Sequence, residues 1–79
     1  MIDILFFGPV TAHVDSSELQ LEYQHGWCLG DVVDQLQTRF PQAFEVICFI
    51  AVNQIQTSDL QQRLSDRDEI AFMAKFSGG

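Results

Sequence analysis

Positive charge is what this sequence has least of. Four Lys and Arg stand against eleven Asp and Glu in 79 residues, a net charge of −7. Binding a nucleic-acid backbone needs clustered basic residues to displace counterions, so such a chain excludes itself from that role and suits a basic protein surface instead. Cysteine is nearly as scarce. Cys28 and Cys48 form neither a C-x-x-C motif nor a zinc-finger spacing. His13 and His25 have no partner at metal-ligand spacing, and no metal is expected. With no signal peptide ahead of the cysteines, the reading is a reduced, cytoplasmic protein. Long apolar runs are missing too. The longest, Val46 to Val52, is far short of the roughly 20 residues a membrane span needs, so no membrane role is expected. A chain of this length forms one domain that buries roughly 60–65% of its unfolded surface, with no room for a deep active site of its own.

What is present is a set of short apolar segments with readable periods. Ile2 to Phe7 is rich in strand formers. Ile2, Ile4 and Phe6 point one way, Leu5 and Phe7 the other, so this strand is apolar on both faces. Gly8-Pro9 ends it, and Val10 to Ser17 reads as a loop or short helical turn. Leu19, Leu21 and Tyr23 alternate with Glu18, Gln20 and Glu22, a half-buried strand that pairs antiparallel with the first. Leu29, Val32, Val33, Leu36 and Phe40 make one apolar helical stripe. Cys28 is its expected N-cap, Trp27 and Val32 a hydrophobic staple, Asp31 and Asp34 favourable near its start, and Pro41 its stop.

The run Val46 to Val52 predicts a central strand buried on both sides, with Cys48 in the core. Asn53-Gln54 turns the chain, Ile55 to Thr57 adds a short strand, and Leu60 and Leu64 anchor a polar connection. Asp66 to Asp68 is a turn, and Glu69 to Met73 the last strand, with Ile70 and Phe72 inward and Ala71 and Met73 outward. The result is an α+β roll: a mixed sheet of four to five strands with one main helix, about 29–40, on one face. Residues 1–73 form the domain and 74–79 a C-terminal tail. One helix covers one face, so Leu5, Phe7, Ala71 and Met73 are left on the other, and they are the candidate partner-binding surface.

The tail ends Phe76-Ser77-Gly78-Gly79. Without side chains, two glycines can thread a channel too narrow for other residues and deliver a terminal carboxylate into it. Ile4-Leu5-Phe6-Phe7, Ala51-Val52-Asn53-Gln54, Leu64 to Phe72 and the Ser-Gly-Gly end together resemble the small subunit of molybdopterin synthase (MoaD-like), a ubiquitin-like β-grasp sulfur carrier. The resemblance implies that Gly79 is adenylated by a ubiquitin-activating-type enzyme using ATP, with no cofactor bound to the chain itself. A sulfur donor protein then converts the adenylate to a thiocarboxylate. The synthase large subunit receives the tail, which gives its sulfur to a pterin precursor, in molybdenum cofactor biosynthesis. Lys75, Phe76, Ser77 and Gly78 would be held by the partner. The chain would be a co-substrate and non-catalytic subunit. The family usually has two prolines where Ala74 and Lys75 stand, and a small aliphatic residue at Phe76.

Other readings of the same end are a carrier for thiazole or cysteine formation, a ubiquitin-like protein modifier, and a plain interaction domain. Cys28 as a nucleophile at a helix N-terminus is weighed against a cap residue, and the cap is preferred. The Asp66-Arg67-Asp68-Glu69 stretch is read as a solvated turn and not as a cation site.

Overall fold

The computed structural model describes residues 1–14 and 16–74. In chain order these form β1 (Ile2–Phe7), a 3-10 turn (Gly8–His13), β2 (Glu18–Leu21), α1 (Leu29–Arg39), a single-turn α2 (Ala43–Val46), β3 (Ile47–Val52), β4 (Ile55–Thr57) and β5 (Glu69–Ala74). The strands make one mixed sheet in the order β2-β1-β5-β3-β4. β1 and β5 run parallel, and the other neighbours are antiparallel. The expected α+β roll is therefore present, with five strands.

Its core lies between the sheet and α1. Ile2, Ile4 and Phe6 of β1 and Ile70 and Phe72 of β5 are buried against Leu29, Val32 and Leu36 of the helix. Phe72 is the aromatic centre. Its ring stacks on Phe6 at 5.8 Å and meets Phe44 edge-on at 5.4 Å. α1 begins where expected. The Asp31 carboxylate accepts the Cys28 backbone N–H at 2.9 Å and its thiol at 3.3 Å, closing the first turn. A loop seals that end further: Leu29 and Gly30 donate to the carbonyls of Gln62 and Leu60 at 2.9 and 2.7 Å. A Cβ on Gly30 would sit 3.1 Å from the Leu60 carbonyl oxygen, so a larger residue there would press the loop back by a few tenths of an ångström. The two-residue turn from β3 to β4 has φ of 52° at Asn53 and 71° at Gln54, the positive pair that a tight hairpin requires.

Five expectations change. Val46 belongs to α2, and β3 starts at Ile47. The middle strand of the sheet is β5, while β3 is second from the edge. Short β4 pairs only with Ile50 to Val52, so the first half of β3 has a neighbour on one side alone, and the ladder is irregular between Ile47 and Phe49. Cys48 and Phe49 are consequently exposed, not core. Leu64 anchors its loop, but Leu60 is exposed. Finally, β5 runs one residue further than expected and buries Ala74.

Candidate functional site

The face of the sheet that α1 leaves uncovered is built from the alternate residues of three neighbouring strands. The register fixes how they line up. Phe7 of β1, Met73 of β5 and Phe49 of β3 form one row, and Leu5, Ala71 and Ala51 form the next. Cross-strand neighbours on one face stand about 5 Å apart, so each row is a continuous contact surface. Phe7 is 46% exposed and Phe49 38%. The four residues expected on this face, Leu5, Phe7, Ala71 and Met73, are brought together. The first row lies where β1 and β5 end, beside the point at which the chain leaves Ala74 for Gly79.

Phe49 and Ala51 were missed by the sequence reading, which treated their strand as buried on both sides. The signal was the alternation itself: Ile50 and Val52 pair with inward Phe72 and Ile70, which puts Phe49 and Ala51 on the opposite face. The expected tail residues Lys75, Phe76, Ser77, Gly78 and the reacting Gly79 lie outside the described residues.

At the other end of the same face the rows become polar. Asp3 stands in register with Glu69, and Gln20 donates to the Asp3 carboxylate at 2.7 Å. Asn53 and Asp68 tie that end together. The Asn53 amide donates to Asp68 at 3.0 Å and its oxygen accepts the Glu69 N–H at 3.0 Å, while Asp68 also accepts the Ser65 N–H at 2.7 Å. The Asp66-Arg67-Asp68 stretch is the expected turn, with Arg67 at φ 74°. A hydrogen bond from the Met1 ammonium holds the Asp66 carboxyl below the usual carboxylate range.

Cys28 caps α1, and its thiol is engaged by Asp31; that same pairing with Cys28, chiefly through its backbone N–H, lowers the Asp31 pKa. Among the described residues no group of three or more His, Cys, Asp and Glu gathers as metal ligands would. None of the described helices is long and apolar enough to cross a membrane.

Comparison with known proteins gives the surface a context. The ThiS family model matches residues 4–79. A molybdopterin synthase sulfur carrier subunit from Mycobacterium tuberculosis is 35% identical over 81 residues, spanning 99% of this chain and 96% of that protein. Among solved structures, SAMP1 from Haloferax volcanii superposes with a TM-score of 0.82 at 19% identity, covering 99% of this chain and 98% of that one. A chain of the complex of subunits 1 and 2 of the molybdopterin-converting factor from Helicobacter pylori gives 0.74 at 23% identity, covering 99% and 97%. At such identities the two structural likenesses speak for the ubiquitin-like β-grasp fold alone.

Proposed function

The chain belongs to the ThiS family, and from that premise we propose that it is a sulfur carrier that serves as the small subunit of a molybdopterin synthase. The observation that carries the reading is positional. An apolar row, Phe7-Met73-Phe49, borders the end of β5 from which the chain runs on to Gly78-Gly79. The 35% identical relative, matched over nearly its whole length, supports the choice of pathway.

The chemistry follows from the weakness of a carboxylate as an electrophile. A ubiquitin-activating-type partner joins the Gly79 carboxylate to AMP, releasing pyrophosphate from ATP. Sulfide supplied by a donor protein then displaces AMP at the acyl carbon and leaves a thiocarboxylate. On the synthase large subunit this end gives its sulfur to a pterin precursor, and the chain returns as the carboxylate. A dithiolene holds two sulfurs and each carrier brings one, so two loaded chains are spent per product. The carrier contributes placement: its docked face holds the reactive end at high local concentration beside the acceptor. Acids, bases and anion-binding groups belong to the partners. The setting that suits this chemistry, and two free thiols, is the cytoplasm.

Removing Gly79 tests the reading. The domain keeps its fold, because the residue lies beyond the last strand. Sulfur transfer disappears, since the carboxyl group falls about 3.5 Å short of the reacting position. Full-rate dithiolene formation by the shortened chain would contradict it. A protein modifier would use the same end differently, and conjugates joined to lysine side chains in the native host are what would mark that alternative.

A further inference from the structure

The base of the tail is held more firmly than a strand end requires. Ala74 closes β5 and is only 4% exposed, while Phe7 and Phe49 in the adjoining outer row stand open to solvent. Strand pairing does not account for this on the β1 side. The β1–β5 ladder stops at Phe7 and Met73, and Gly8, with φ of 61°, turns the chain away. The 3-10 turn that Gly8 begins folds back against β5 and α2, with Val10 and Ala43 fully buried.

On the β3 side an irregularity supplies the grip. Phe49 pairs with Met73 and Ile47 with Ala74, so Cys48 is an extra residue against a single step of β5. In an unbroken ladder Cys48 would stand opposite Ala74 and share its inward face. The bulge sets Ile47 there instead, and Ile47 packs on the core cluster to which Ala74 belongs. Ala74 thus ends the strand inside a collar formed by Ile47 and the 3-10 turn. The five residues that lead to Gly79 begin immediately beyond it.

We infer that Ala74 is a positioning residue for sulfur transfer, whose collar joins the docking face and the tail in one rigid frame. The inference rests on the carrier reading above. Met73 belongs to the row that docks, and Lys75 is the first residue to enter the partner's channel, so Ala74 is the joint between them. With that joint fixed, the direction in which the tail leaves the docked face is set before binding. The Gly79 carboxyl lies at most about 17 Å further along the chain, so a swing at the joint is magnified at the reacting end. A misplacement of about 1 Å can cost about a hundredfold in rate. Ala74 acts on the rate through Gly79 and touches neither the sulfur nor its acceptor.

The test uses the full chain carrying a chemically prepared Gly79 thiocarboxylate, the molybdopterin synthase large subunit of its own host, and the pterin precursor. Affinity, and the single-turnover rate of sulfur transfer at saturating large subunit, are measured for the parent, Ala74→Gly and Ala74→Asp. A carboxylate cannot stay in the apolar collar, so Ala74→Asp frees the strand end; Ala74→Gly loosens it without adding charge. Both variants should bind as the parent does, because the docking rows are intact. At saturation the rate should fall about threefold for the glycine variant and about tenfold or more for the aspartate variant. A loss of stability alone would not lower that rate. Weaker binding with an unchanged rate at saturation would make Ala74 a docking residue and overturn the inference. Variants that match an active parent in both measurements overturn it too, and leave the carrier reading standing. If Ala74→Asp does not fold, Ala74→Gly decides in the same terms. A parent chain that transfers no sulfur overturns the carrier reading and the inference with it.

Discussion

The two faces of strands β1 and β5 are made of similar residues and have opposite lives. On one side Ile4, Phe6, Ile70 and Phe72 are almost wholly buried beneath α1. On the other, Leu5, Phe7 and Met73 are as apolar, yet half-buried or wet. Hydrophobicity by itself therefore does not separate core from interface in this chain. What separates them is supply: one amphipathic helix covers one face, and the remaining face is the one we propose for docking.

The largest expected effect breaks the covered face. Phe72→Ala removes a ring stacked on Phe6 and set against Phe44, at about 3–5 kcal/mol. That is comparable to the whole stability of a small domain, and the cooperative thermal transition should vanish. The counterpart on the uncovered face behaves in the opposite manner. Phe7→Asp should leave the melting temperature of the isolated chain nearly unchanged and weaken the large-subunit complex by about 2 kcal/mol or more, roughly thirtyfold. Unfolding of that variant would place Phe7 in the core and erase the distinction between the faces.

Smaller effects sharpen it. Hydrogen bonds from Cys28 lower the pKa of Asp31 below its unfolded value. Its stabilising effect is thus fully present above the unfolded pKa, near pH 4, and is lost as pH falls through the lower folded value. Asp31→Ala should melt earlier than the parent at neutral pH, and the difference should close in acid, with partner binding untouched at neutral pH. Least of all should come from Ile55→Ser. Ile55 is 72% exposed but lies off the docking rows, so stability should move by less than about 0.5 kcal/mol and affinity should not move. A loss of affinity there would mean that exposure alone, and not membership in the rows, marks the interface.

Much of this was legible in the sequence. Period-two alternation in Ile2 to Phe7 and in Glu69 to Met73 assigned both faces, and the Leu29-Val32-Leu36 stripe with Pro41 behind it delimited α1. The failure lay in Val46 to Val52. A continuous apolar run reads as a strand buried on both sides, and periodicity within it cannot say where its neighbours stop. Burial of Cys48 and Phe49 depended on the length of β4, three residues that pair only with the far half of β3. That is a tertiary fact with no local sign. Phe49 and Ala51 were absent from the expected interface for a different reason: their alternation with Ile50 and Val52 was available, but reading the run as buried on both sides gave it no weight. The Asp3–Glu69 pairing was hidden as well, since a parallel register between the two ends of a chain is set by the fold and not by either segment.

The central claim is that sulfur resides on the Gly79 carboxyl group, and the most direct measurement is the intact and fragment mass of the chain purified from its native host under conditions of active molybdenum cofactor synthesis. The account predicts a fraction of molecules heavier by one oxygen-for-sulfur exchange, with fragmentation placing the change on Gly79 and exposure to a thiol-reactive alkylating agent trapping it there. A chain whose Gly79 carries only the ordinary carboxylate throughout, in cells that are making the cofactor, would contradict it.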